Sequence, residues 1–234
     1  MRARSQQMIE STHKAISIPV ILLVMTAVTG IVDAVSFLAL GRVFTANMTG
    51  NIVFLGFAMG GAPGLSISRS LLALTCFALG AIIGGRMTGR LQSSQWTVRA
   101  LSFESILLLT AAAISLGLVW PYVDDHSLKV HGVIASTAMA MGLRNAVVRK
   151  LGVPELTTTV LTLTITGLAA DSVLAGGENP RWLRRCAAIA AMLGGAAAGA
   201  AMLHQSMALA LFVSGIVSAA GACAAFESGM GNTF

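Results

Sequence analysis

The sequence predicts an all-α, polytopic membrane protein. Only 10% of its 234 residues are charged, against roughly 25% in an average soluble domain, and the mean hydropathy is +0.82. Apolar stretches of about 20 residues recur along the chain, which is the length an α-helix needs to cross a bilayer. These observations exclude a disordered chain, a disulfide scaffold and a water-soluble globule, because too little polar sequence exists to cover a core of this size.

The order of the polar and apolar segments suggests a division of the chain into five parts. These are an N-terminal tail over 1–17, a first membrane repeat over 18–120, an external loop over 121–129, a second membrane repeat over 130–226 and a C-terminal tail over 227–234. The tail is basic, and the apolar stretch behind it is too long for a cleaved signal. We therefore expect that stretch to stay in the membrane as the first span.

Six segments are long enough to be complete spans: 18–40, 70–90, 100–120, 130–148 and two halves of 186–226, which divides near His204. Two shorter apolar segments, 45–61 and 155–171, follow glycine breaks at Gly41 and Gly152. They are either complete spans, which gives eight in all, or short helices that enter the membrane and return to the same side.

The basic residues favour the second alternative. If both short segments return and the N-terminus is cytoplasmic, twelve of the 15 basic residues face the cytoplasm, and only Arg42, Arg69 and Lys129 lie outside. If both segments cross, the division falls to eight against seven. Because cytoplasmic loops carry the excess of Lys and Arg, the sequence predicts six spans, two re-entrant or broken helices and both termini inside.

The two halves of the chain resemble each other at a spacing of about 111 residues. The run from Gly30 to Asp33 matches the run from Gly142 to Asn145, and each half reads as a span, a glycine break, a short polar helix and two more spans. Three complete spans per half is an odd number, so the second half is expected to lie upside down. Such inverted repeats are typical of transporters and channels that bind their solute near the midplane.

The first group of candidate site residues is Asp33 together with Asn47, Thr49 and Asn51. A carboxylate within a membrane span is costly and indicates a function. If the short helix begins near Thr45, its free N–H groups could hold an anion or a polar solute. The alternative is that these polar groups only satisfy the backbone at the helix break.

The second group combines the end of the fourth span with the second short segment: Arg144, Asn145, Thr157 and Thr158. Thr158, Thr162 and Thr166 recur every four residues, which would place them on one helix face as a hydroxyl track. The alternatives are that the threonines bond back to their own helix and that Arg144 only marks the cytoplasmic side.

Further residues have structural interpretations. Glu104 lies one turn into its predicted span, where it could pair with Arg99. The spacing of Gly80 and Gly84, of Gly85 and Gly89, and of Gly195 and Gly199 predicts closely packed helix faces. A homo-oligomer could form through such faces.

Other functional classes find little support. No Lys/Arg-rich run indicates nucleic-acid binding. The four histidines are scattered, the three cysteines are single, and no HExxH or nucleophile-elbow motif occurs. We therefore expect no enzyme activity, no metal site and no cofactor.

Two segments carry a resemblance to a known family. GIVDAVSFLALGRVFTANMTGN (30–51) and GLRNAVVRKLGVPELTTTVLT (142–162) resemble the YoaK-like family of bacterial inner-membrane proteins, which is grouped under a domain of unknown function. The resemblance covers nearly the entire chain and implies a polytopic inner-membrane protein without an established substrate. Many members place Gln where this chain has Arg144, so a charge-bearing role becomes possible here.

The leading hypothesis is a transporter or channel for a small polar or anionic solute, with lipid and solute as its partners. The two groups of residues named above would line a central site between the short helices. The alternative is a membrane assembly or regulatory subunit that transports nothing.

Overall fold

The computed structural model describes residues 17–88, 93–121, 127–152 and 161–230, and it contains helices and no strands within these ranges. The described α-helices are α1 Ile18–Ala39, α2 Met48–Met59, α3 Ile67–Met87, α4 Ser93–Ile114, α5 Leu128–Leu151, α6 Leu161–Ala170, α7 Trp182–Leu203 and α8 Met207–Met230. A single turn of 3-10 helix, Val173–Ala175, follows α6. The predicted all-α membrane fold is confirmed.

Five of the long helices, α1, α3, α4, α7 and α8, are long and apolar enough to cross a membrane. The sixth long helix, α5, has 24 residues but includes Lys129, Arg144, Arg149 and Lys150. Half of its residues are buried, and it packs between α3 and α4. Because protein rather than lipid surrounds much of α5, this helix can carry polar groups that a lipid-facing helix could not.

One end of the bundle gathers the ends of four long helices around Trp120. The indole Nε1 of Trp120 donates to the carbonyl of Leu38 at 3.2 Å, and its ring meets His204 edge-on at 5.2 Å. Lys129 Nζ at the start of α5 donates to the carbonyl of Leu116 beyond α4 at 3.0 Å. We call this the Trp120 end.

The opposite end, which we call the Ile18 end, is marked by a small apolar cluster. Leu22 of α1, Val148 of α5 and Ala188 of α7 pack together there with Ile18. Ala225 near the close of α8 packs in the same core cluster as residues of the first turns of α1. The six long helices therefore alternate in direction, and residues 18 and 230 lie at the same end.

The first short helix belongs to a segment that returns to the end it leaves. Arg69 Nη1 at the start of α3 donates to the carbonyl of Leu40 at the end of α1, at 3.4 Å, and Gly64 lies beside the guanidinium of Arg42. The 12 residues of α2 reach only about 18 Å, too short to cross. In this half the geometry favours the returning segment over an extra span.

The second short helix sits correspondingly near the Ile18 end. Because Val148 and Ala188 pack together, the end of α5 and the start of α7 lie side by side. Arg185 of α7 ties α6 to it by donating to the carbonyl of Gly167 and pairing with Asp171 at 2.8 Å. Residues 153–160, which include the first part of the short segment predicted over 155–171, lie outside the described ranges.

Glycines allow two pairs of long helices to touch backbone to backbone. A Cβ added at any of four glycines would overlap a carbonyl of the facing helix: Gly30 at Met192, Gly195 at Ala27, Gly142 at Phe77 and Gly80 at Met139. The α1–α7 pair therefore repeats the arrangement of the α5–α3 pair. Corresponding glycines are 112 positions apart on α1 and α5 and 115 apart on α3 and α7.

These contacts give the predicted small-residue faces their partners. Gly84 packs on Leu143 and Gly199 on Ile31, so the faces of α3 and α7 are occupied within the chain. Gly80, Gly84, Gly195 and Gly199 are therefore not available for the expected homo-oligomer contact. Gly85 meets nothing within 4 Å, and Gly89, its predicted companion, lies outside the described residues.

A pair of adjacent glycines in α7 tests the backbone contact. We expect Gly195→Ala to destabilise the protein by about 1–3 kcal/mol, because the new methyl group overlaps the backbone of α1. The matched control is Gly194→Ala: no atom lies within 4 Å of its Cβ, and the substitution should leave stability unchanged or raise it by up to about 1 kcal/mol. Denaturant unfolding in detergent measures both, and equal effects would contradict the contact.

Candidate functional site

The site begins where α1 ends and the chain reverses. Gly41 and Arg42 both have left-handed backbone angles, with φ of 86° and 56°. The N–H of Arg42 donates to the carbonyl of Phe37 at 3.1 Å, which is the bond of a Schellman motif with glycine in the left-handed position. The glycine break predicted at Gly41 therefore ends α1 and turns the chain back into the bundle.

The loop that follows is held by Asp33. Its Oδ1 accepts from the backbone N–H of Ala46 at 2.9 Å and of Thr45 at 3.2 Å. Asp33 lies six residues before the end of α1, so the loop tip reaches about 9 Å inward. Ala46 packs there in a cluster with Val32 and Met141. Asp33 is 5% exposed, as expected for a buried acid, and it fixes the depth of the loop.

Asn51 closes the loop from the side of α2. Its Nδ2 donates to the carbonyl of Phe44 at 2.6 Å, and its Oδ1 accepts from the N–H of Phe44 at 2.9 Å. The ring of Phe44 stacks on those of Phe37 and Phe54, with centroid distances of 5.0 and 5.7 Å, and these two rings also contact each other at 5.9 Å. Asn51 is fully buried, so it satisfies backbone groups of the loop instead of facing a solute.

The other two polar residues of the first group lie differently. Asn47 and Thr49 are exposed, and Asn47 caps α2 by accepting from the N–H of Gly50 at 3.4 Å. The helix begins at Met48 rather than near Thr45. Since the carboxylate of Asp33 already accepts from the N–H groups preceding α2, the expected anion position at this helix start is occupied by the protein itself.

Opposite charges meet in the middle of the bundle. Arg144 Nη1 lies 2.8 Å from Glu104 Oε1, and the two side chains are 2% and 0% exposed. Arg144 Nη2 also donates to the hydroxyl of Thr29, and Ser218 donates to Glu104 Oε1 at 2.9 Å. Four long helices, α1, α4, α5 and α8, are thereby joined at mid-depth.

This geometry corrects two interpretations from the sequence. Because α4 begins at Ser93, Glu104 lies at the middle of its helix rather than one turn into it, and its partner is Arg144 instead of Arg99. Arg144 is buried in an ion pair, so the alternative of a simple topology charge is wrong. Asp33 lies one turn from Thr29 on α1, and Thr29 accepts from Arg144. We call Asp33, Glu104 and Arg144 the central charge cluster.

The cluster is not fully satisfied by its neighbours. Glu104 Oε2, Arg144 Nε and the hydroxyl of Thr45 have no hydrogen-bond partner among the described residues. Buried charges are retained only when they are paired or serve a function. The open atoms point to water or a polar ligand as the missing partner.

The second group of candidates is only partly brought together. Asn145 is half-buried and donates to the carbonyl of Met141 at 2.8 Å, while Thr157 and Thr158 lie outside the described residues. Thr162 and Thr166 are exposed, and the hydroxyl of Thr166 bonds back to the carbonyl of Thr162 at 2.8 Å. Thr162 and Thr166 therefore share an exposed face of α6, and the bond made by Thr166 is the one that the alternative predicts.

Sequence reasoning missed Glu104, Thr29 and Ser218 as members of the site. The available signal was that Glu104 is the only acid in the predicted span 100–120 and that Arg144 is the only Lys or Arg in the predicted span 130–148. In the described part of the chain, no group of three or more His, Cys, Asp or Glu residues is arranged to hold a metal.

Comparison with known proteins shows which family the chain belongs to. A family model described as a protein of unknown function, DUF1275, matches residues 21–224. The chain belongs to the DUF1275 family. One similar protein is the UPF0700 transmembrane protein YoaK of Bacillus subtilis (strain 168), 38% identical over 153 residues, which is 64% of this chain and 64% of that protein.

The match thus spans less than two thirds of the length of that relative. No solved structure matches this member of the DUF1275 family. The resemblance to a YoaK-like family that the two motif segments carry is confirmed.

Proposed function

We propose that this protein is a transporter or channel, not an enzyme, that moves a small polar or anionic solute across the bacterial inner membrane. The observation that carries the proposal is the central charge cluster. Asp33, Glu104 and Arg144 are buried at the depth where the tip of a returning loop ends. Ionisable groups at such depth are typical of solute and ion pathways.

We infer further that the two halves are inverted repeats. α1 runs from the Ile18 end to the Trp120 end and α5 runs the opposite way. The glycine contacts of α1 with α7 are repeated by those of α5 with α3. Under this equivalence Asp33 and Asn145 occupy matching positions, 112 residues apart. The two short segments then approach the central charge cluster from opposite sides of the membrane.

The charge distribution supports an orientation. Seven described basic residues belong to the Ile18 end: Arg86, Arg99, Arg149, Lys150, Arg181, Arg184 and Arg185. Three belong to the Trp120 end: Arg42, Arg69 and Lys129. By the positive-inside rule the Ile18 end is cytoplasmic, the protein is multi-pass, and both termini are inside.

The proposed mechanism follows from what each residue already does. Arg144 offers a positive charge to an anionic or carbonyl-bearing solute, and Glu104 keeps that charge paired when no solute is present. Asp33 holds the loop tip over the cluster from the Trp120 side. Passage of a solute requires the bonds from Thr45 and Ala46 to Asp33 to break, so this loop acts as the outer gate.

Thiol labelling in membranes tests the proposal. In a variant without Cys76, Cys186 and Cys223, cysteines at positions 47 and 158 should react with a membrane-impermeant thiosulfonate from opposite sides. Water-filled approaches to a central site account for this result. A cysteine at position 57 is the control, since Phe57 is an exposed apolar residue of the short α2 and we expect it to face lipid and remain unlabelled.

Labelling of both positions from one side would contradict the arrangement of two opposed short segments. If neither position reacts with the reagent from either side, the transport proposal is contradicted and the assembly or regulatory subunit is favoured.

A further inference from the structure

A second charged feature lies apart from the central cluster, in a pocket at the Trp120 end. The cavity has a volume of about 350 Å³ and lies between the end of α1, the turn before α3 and the segment after α4. Its walls include Gly41, Arg42, Ser66, Arg69 and Trp120. We call it the arginine pocket. Its volume is within the range of small-molecule sites, roughly 300–1,000 Å³.

Arg69 is a buried and hydrogen-bonded part of the pocket wall. It is 8% exposed and sits in the first turn of α3, where the helix dipole disfavours a cation. Its Nη1 bonds to the carbonyl of Leu40 at the C-terminal end of α1. The guanidinium occupies the space that a side chain at position 41 would fill, so Gly41 is needed for this placement as well as for its left-handed angle.

Arg42 supplies the second charge. It is exposed, and its guanidinium lies against Gly64, which also has a left-handed angle, with φ of 75°. Within the described part of the chain, no hydrogen bond or ion pair engages its side chain. The described lining residues include no Asp or Glu. Two of the three basic residues of this end thus face one cavity.

We propose that the arginine pocket binds a phosphate-type oxyanion. A guanidinium is a planar fork of donors that matches two phosphate oxygens. Arg42 offers this fork at the cavity, and Arg69, whose Nη1 bonds to Leu40, adds a second positive charge in the same wall. The same chemistry is offered by free inorganic phosphate and by the headgroup of a phospholipid. The inference concerns this pocket alone and holds whether or not the central charge cluster carries a solute.

Binding is measured on the full chain purified in a maltoside detergent, which contains no phosphate. The substitutions Trp96→Phe and Trp182→Phe leave Trp120 as the only tryptophan, so its fluorescence reports on the pocket wall. Titration calorimetry measures the binding affinity. One arm adds inorganic phosphate, with chloride at equal ionic strength as reference. The other arm adds phosphatidylglycerol and then repeats the phosphate titration.

Arg42→Gln tests the site, and Lys129→Gln is the matched control. Lys129 is an exposed base at the same end and is absent from the pocket lining. We expect saturable phosphate binding that Arg42→Gln weakens about tenfold and Lys129→Gln by less than about twofold. Competition by phosphatidylglycerol, or a Trp120 response to that lipid alone, assigns the site to a headgroup and also supports it.

Two outcomes would overturn the inference. One is the absence of a saturable response to both phosphate and lipid. The other is equal weakening by Arg42→Gln and Lys129→Gln, which would indicate general charge attraction without a site.

Discussion

Glu104→Ala is expected to destabilise the folded protein by about 3–5 kcal/mol, the range for removing one partner of a buried ion pair. The substitution leaves the guanidinium of Arg144 buried without its carboxylate and removes the acceptor of Ser218. Denaturant unfolding in a maltoside detergent measures the loss. The double variant Glu104→Leu, Arg144→Leu should regain much of it, because neither charge is then left unpaired.

A matched ion pair on the same protein provides the control. Asp171 pairs with Arg185 at the same 2.8 Å, but its side chain is 45% exposed. Asp171→Ala should therefore cost only about 0–1 kcal/mol. If Glu104→Ala and Asp171→Ala unfold at the same denaturant concentration, the central pair is not buried as described.

Asp33→Leu is expected to open the outer gate loop. Without the carboxylate, the N–H groups of Thr45 and Ala46 lose their acceptor, and each buried donor left unsatisfied costs about 1–3 kcal/mol. Hydrogen exchange of these two amides should accelerate strongly. The N–H of Phe44 should stay protected, since its acceptor is the side chain of Asn51.

Asp33→Asn separates the hydrogen bonds from the charge. The amide retains an Oδ1 that can accept from both N–H groups, so exchange at Thr45 and Ala46 should remain close to that of the unaltered protein. If the Asn and Leu variants exchange alike, the negative charge and its attraction to Arg144 hold the loop, and the hydrogen bonds contribute little.

Local signals in the sequence predicted much of this fold. Gly41 and Gly152 mark the ends of α1 and α5 because only a left-handed residue closes a helix in that way. His204 lies at the break between α7 and α8. Asp33 was predicted to be a functional buried acid because a charge inside a membrane span costs free energy and needs a partner or a function.

The pairings across helices could not be predicted. Glu104 and Arg144 are 40 positions apart, and apolar helices carry little amphipathic pattern to show which face turns inward. For the same reason the sequence does not show which face of α6 turns inward: Thr164 is buried, while Thr162 and Thr166 are exposed. In the sequence, Asn51 has the appearance of a ligand-binding amide. Its actual partner is the backbone of Phe44, which comes within reach only when the loop folds back on α2.

The polarity of α5 also constrains how the protein is made. A helix with Arg144 in its interior enters a bilayer reluctantly by itself, because the apparent cost of a charge at the centre of an inserting helix is about 2.5–3.5 kcal/mol. Glu104 of α4 is synthesised about 40 residues earlier. Insertion of α4 and α5 as a hairpin would bring the carboxylate and the guanidinium together before either meets lipid. The ion pair between Glu104 and Arg144, which joins helices in the finished bundle, would thus first lower the cost of inserting α5.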